Sequence, residues 1–183
     1  YQSVFTGENQ VNLETSRKVL TVFFSDIVGF TPKADGMAQD ELSAWLNRYL
    51  NEMAEIALKH GGTLDKFIGD AVMVFFGDPE THGQEKDAVK CIEMAKEMLA
   101  KAKELGVPVR MGIHTGPCIV GNFGSKNRMD YTIIGRTVNL ASRLESNAEL
   151  DRILMSEYTY DLVSRHIPCI ERGRITIKGL TQP

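Results

Sequence analysis

Thr63-Leu-Asp-Lys-Phe-Ile-Gly-Asp-Ala-Val-Met-Val-Phe-Phe76 is the stretch on which the fold turns. Two apolar, β-prone runs flank Gly69-Asp70, and that spacing predicts a tight hairpin of strands 63–68 and 71–76. Just upstream, Gly61-Gly62 stops an amphipathic helix over 40–60, in which Trp45, Tyr49, Met53 and Ile56 recur at helical spacing. Further back, Val19-Leu-Thr-Val-Phe-Phe24 is a continuous β-prone run, suited to a central strand covered on both faces. Ser25 to Phe30 reads as a tight turn containing Gly29. Downstream of the hairpin come a polar loop over 77–84, a second amphipathic helix over 85–105 and a strand over 107–113. The order β-α-β-β-α-β predicts an α+β fold with a ferredoxin-like βαββαβ core. A hairpin over 119–134, with its turn at Gly121 to Lys126, begins a C-terminal α/β extension. A helix over 137–146, a strand near Ile153, a helix over 156–164 and a last strand over 174–178 complete it.

The chain has 183 residues, the length of one domain able to bury a substantial core. The opening stretch 1–17 is polar and reads as the end of a linker from a longer protein, with the domain itself over 18–183. A net charge of −3 leaves no basic footprint, which argues against a nucleic-acid partner. No apolar run approaches the eighteen or so residues that a membrane span needs. Cys91, Cys118 and Cys169 are odd in number and far apart, as expected of reduced thiols in a cytoplasmic setting.

Asp26 ends the first strand and Asp70 sits in the hairpin turn. In a βαββ sheet the first strand lies beside that hairpin, so the two carboxylates are expected at one sheet edge. Paired aspartates there suit a hard cation such as Mg²⁺, which takes oxygen ligands and keeps phosphates among them. Backbone amides from Ile27 to Phe30 are candidate donors to phosphate oxygens. Spacing alone leaves a second reading open, in which Asp70 simply favours a turn and Asp26 caps a loop.

Phe24-Ser-Asp-Ile-Val-Gly-Phe-Thr31 resembles the first metal-binding motif of class III adenylyl and guanylyl cyclases. Lys66-Phe-Ile-Gly-Asp-Ala-Val-Met73 resembles their second, and Gly135-Arg-Thr-Val-Asn-Leu-Ala-Ser-Arg143 the segment that handles the transition state. The resemblance runs from about Val19 to Lys178. It implies that Asp26 and Asp70, with the backbone of Ile27, hold two divalent ions, Mg²⁺ or Mn²⁺. It further implies that Ile27, Val28, Gly29, Phe30 and Thr31 line the phosphates. By the same token Asn139 orients the ribose, Arg143 stabilises charge on the α-phosphate, and Lys178 contacts the terminal phosphates.

Lys66 occupies the family's purine-selecting position. Lysine donates without accepting, which suits adenine N1 and opposes the N1 hydrogen of guanine. Thr132 lies where many adenylyl cyclases have Asp, and its hydroxyl is compatible with either base. ATP is therefore the expected substrate, with cyclic AMP and pyrophosphate as products. A guanylyl cyclase and an inactive nucleotide-sensing or dimerisation module are the alternatives. The Lys66–Thr132 pair also resembles a bacterial subgroup that bicarbonate often stimulates.

Lys66 and Asp70 flank one short turn, yet one must meet the base and the other the phosphates of an extended nucleotide. The family resolves this with head-to-tail dimers that share their sites, so a homodimer is expected. His114, on an apolar strand, reads as a core or hairpin residue rather than a base.

Overall fold

A computed structural model of the chain describes residues 14–169. Strand β1 (Ser16–Ile27) leads through α1 (Phe30–Asp35) into α2 (Gln39–Lys59). The hairpin β2 (Thr63–Ile68) and β3 (Ala71–Phe76) follows, then α3 (Gln84–Glu104) and β4 (Val109–Ser125). Last come β5 (Arg128–Ile134), α4 (Arg136–Asn147), β6 (Arg152–Met155) and α5 (Glu157–Val163). The sheet order is β2-β3-β1-β4-β5, with β6 parallel to β4. Its first four strands are antiparallel and give the ferredoxin-like core that the sequence predicts.

Alternation along the strands sorts the core into two layers. Phe23, Val72, Val74, Met111 and Ile113 face α2 and α3, meeting Tyr49, Met53, Cys91 and Met98. Each fully buried side chain of this size contributes about 1.5–3 kcal/mol. Leu20, Val22, Phe24, Met73 and Phe75 face the other way, toward Ala141 of α4 and Ile133 of β5. Helix α2 has Asp40 and Glu41 in its first turn and Lys59 in its last, charges that complement the helix dipole.

Four expectations change. Residues 109–125 form one 17-residue strand rather than a strand followed by a separate hairpin arm. Gly121 to Ser125 belongs to that strand, and the turn to β5 narrows to Lys126 and Asn127. Ser25 to Ile27, expected in a turn that ran to Phe30, continue β1, and after Val28 and Gly29 the chain enters a helix, α1, from Phe30. Pro32 is tolerated there because first-turn N–H groups have no intrahelical partner. In addition, β1 already includes Ser16 and Arg17, which the sequence reading left with the preceding segment. The proposed strand over 174–178 lies outside the described residues.

The far half of β4 carries β5 back over the second face of the sheet. The Tyr131 hydroxyl donates to Asp78 and the Thr132 hydroxyl to Asp65, although β5 and β2 stand at opposite ends of the strand order. Among the described residues, no helix is long and apolar enough to cross a membrane.

Candidate active site

Asp26 lies near the end of β1, on the face that carries α4, and its side chain is a quarter exposed. Asp70, from the β2–β3 turn, reaches the same end of the sheet, where its Oδ2 accepts the Ile27 N–H at 2.8 Å. The hairpin can make that turn because Gly69 adopts φ 61, a left-handed conformation that other residues rarely take. The two carboxylates are thus brought together, as the topology implied.

Two charged neighbours were not anticipated. Arg110 stands opposite Asp26 in the β1–β4 register and donates to both of its carboxylate oxygens. Its Nη1 also donates to the Ser146 carbonyl at 3.1 Å. Glu145 of α4 is buried, and its Oε1, 3.7 Å from Arg110 Nε, is the carboxylate oxygen that makes no hydrogen bond. Burial first, and then the adjacent Asp26 carboxylate, push its pKa up to about 8, against the opposing pull of Arg110. Neither residue carried a local sequence signal, because each acts through partners far away in the chain.

The amide donors need correction. The Ile27 N–H is committed to Asp70, and the Val28 N–H donates to the Pro108 carbonyl at 2.8 Å. That leaves Gly29, Phe30 and Thr31 as the candidates in this segment. Phe30 stacks on Trp45 at 6.4 Å and Lys33 lies 4.1 Å from the Trp45 ring centroid, which fastens α1 to α2.

Lys66 and Thr132 gather around one carboxylate. In the β2–β3 ladder Leu64 pairs with Val74 and Lys66 with Met73, so Asp65 is the extra residue of a β-bulge. The Asp65 Oδ2 accepts the Thr132 hydroxyl at 2.6 Å, and its Oδ1 lies 3.7 Å from Lys66 Nζ. Burial raises the Asp65 pKa, while Thr132, Lys66 and the Ile133 backbone oppose the rise. Asp65 was not singled out in the sequence.

Asn139 and Arg143 lie one turn apart on α4, exposed and half-buried respectively. Their helix is pressed onto β4, since a Cβ at Gly112 would meet Glu145 N at 2.1 Å. His114 is half-buried, and its Nδ1 is 2.6 Å from the hydroxyl of Ser156, the N-cap of α5. Lys178 lies outside the described residues. Cys91, Cys118 and Cys169 are unpaired.

The chain matches the adenylate and guanylate cyclase catalytic domain over residues 12–183. It belongs to that family. A solved structure of the adenylyl cyclase CyaB from P. aeruginosa is 54% identical to the domain. It covers 93% of each chain, with a TM-score of 0.92. The structure of the guanylyl cyclase Cya2 is 33% identical, covering 90% of this cyclase domain and 88% of that chain, at a TM-score of 0.77. An adenylate cyclase of Mycobacterium tuberculosis (strain ATCC 25618 / H37Rv) is 34% identical over 165 residues, 87% of this chain and 37% of that protein. The domain spans between 7% and 37% of the first curated adenylate cyclases it matches.

Among the described residues, no three His, Cys, Asp or Glu side chains form a ready-made metal cage. The Asp26–Asp70 pair nonetheless fits Mg²⁺, which usually binds through one or two carboxylates and takes its remaining ligands from water and substrate phosphates.

Proposed function

We propose that this cyclase domain converts ATP into 3′,5′-cyclic AMP and pyrophosphate. The ribose 3′-oxygen attacks the α-phosphorus of the same nucleotide, and pyrophosphate leaves. The observation that carries the reading is the placing of Lys66 and Thr132 around Asp65, from opposite ends of the strand order. A donor-only lysine beside a hydroxyl makes a surface suited to adenine.

Asp26, Asp70 and the Ile27 carbonyl are the ligands assigned to two divalent ions, Mg²⁺ or Mn²⁺. Such ions lower the pKa of the attacking hydroxyl and neutralise the triphosphate. Gly29, Phe30 and Thr31 offer backbone donors to phosphate oxygens, and Lys178 is assigned to the terminal phosphates. Asn139 orients the ribose. Arg143 places a charge-assisted donor where negative charge develops on the α-phosphate. Removing such a contact costs on the order of 3 kcal/mol, a hundredfold or more in rate.

The site is shared between two copies in a head-to-tail homodimer, with the metals on one and the purine, Asn139 and Arg143 on the other. Exposed apolar side chains favour this arrangement. Phe67, Ile68, Tyr131 and Ile134 are 40–54% exposed and flank Lys66 and Thr132, a patch suited to burial against a second copy. We place the reaction in the cytoplasm, where unpaired cysteines stay reduced.

Turnover of ATP and GTP by the purified domain, each with Mg²⁺ or Mn²⁺, tests the reading. Preferential cyclic AMP formation supports it, preferential cyclic GMP formation makes the domain a guanylyl cyclase, and no product at all leaves a sensing module. Bicarbonate is the proposed activator, and an unchanged rate at fixed pH against a chloride control removes it.

A further inference from the structure

We propose that Asp65 sets the hydrogen-bond polarity of the purine site. By taking the Thr132 hydroxyl proton, it leaves Thr132 able only to accept from the base. The inference rests on the reading that Lys66 and Thr132 face the purine. It answers what that reading leaves open, because a threonine hydroxyl left to itself serves either base.

Adjacent residues of a regular strand point to opposite faces. The bulge at Asp65 breaks that rule, so its carboxylate approaches both Lys66 on its own strand and Thr132 on β5. Asp65 is 8% exposed, and a carboxylate so placed keeps its charge only by collecting donors. Those donors are the Thr132 hydroxyl, the Lys66 ammonium and the Ile133 backbone. An ionised carboxylate accepts and never donates, so the proton of the 2.6 Å bond belongs to Thr132.

A hydroxyl has one proton and two lone pairs. With the proton spent on Asp65, Thr132 offers lone pairs alone. The adenine amino group donates to such an atom, whereas the guanine carbonyl meets another acceptor. Lys66 discriminates in the same sense at N1. One carboxylate therefore aligns both contacts toward adenine.

Asp65→Asn reverses the arrangement. Lys66, a pure donor, takes the asparagine carbonyl oxygen, and the amide NH₂ turns to Thr132. The Thr132 proton is then free to meet a guanine carbonyl. Affinities of non-cyclising ATP and GTP analogues, measured alongside turnover, read this in the wild type, Asp65→Asn, Thr132→Val and the double variant. Asp65→Ala, which removes the acceptor and so also frees the Thr132 proton, gives the same reading if the asparagine variant does not fold.

The expected result is a loss of about tenfold in preference for ATP over GTP in Asp65→Asn, with no further loss when Thr132 is already Val. An unchanged preference in Asp65→Asn while Thr132→Val alters it overturns the inference and spares the purine reading. An equal loss in the Thr132→Val background also overturns it, since Asp65 would then act independently of that hydroxyl. If neither single variant moves the preference, the purine reading falls and the inference falls with it.

Discussion

Arg110 holds Asp26 from directly across the β1–β4 ladder, its Nε 3.3 Å from Oδ1 and its Nη2 3.1 Å from Oδ2. Two-point contact of this kind fixes the carboxylate plane as well as its charge. The same carboxylate is the one proposed to hold the metals, so a guanidinium and incoming cations would compete for its oxygens.

Arg110→Met is expected to lower the half-saturating Mg²⁺ concentration several-fold, because a like charge near the metals is removed. Stability should fall by about 1 kcal/mol, as for a partly exposed ion pair. Metal titrations of activity and denaturant melts measure the two effects. A raised metal requirement would show that orienting Asp26 outweighs the repulsion.

Gly112→Ala is expected to loosen α4. The new Cβ would meet Glu145 N at 2.1 Å, Ala141 O at 2.6 Å and Glu145 Cα at 2.7 Å, all backbone atoms that no rotamer change can move. Overpacking of this kind costs about 1–3 kcal/mol or more. Since Asn139 and Arg143 ride on α4, turnover should fall further than stability alone explains. Denaturation midpoints compared with kcat separate the two.

Those glycines also show why part of the fold was illegible. Gly112, Gly116, Pro117 and Gly121 punctuate 109–125 like strand breakers, yet they lie within one strand. At Gly112 the missing side chain admits a helix, a requirement set by residues some thirty positions away. The β2–β3 hairpin was legible because its turn chemistry is local, and α2 because its buried residues keep helical spacing. Asp26 and Asp70 could be placed together from strand order alone. Arg110, Glu145 and Asp65 could not, since each gains its meaning from a partner on another element. The approach of Thr132 to β2 depends on how β5 folds back over the sheet, which no short-range pattern encodes.

His114 gives a pH dependence of stability. Burial lowers its pKa below the usual value near 6.5, so between the two values the unfolded chain binds more protons than the folded one. This contribution is fully present above about pH 6.5 and is lost as pH falls through the lowered folded value. His114→Gln should therefore lose less of its melting temperature than the wild type between pH 7.5 and 5.5. Parallel losses in the two proteins would remove His114 as the source.

The shared site is tested by mixing two inactive chains, Asp70→Ala and Arg143→Ala. In an equal mixture half the dimers are mixed, and each carries one intact site and one doubly damaged site. About a quarter of wild-type activity should return. Mixed dimers confirmed by mass but showing no recovered cyclase activity would contradict a site built from two copies.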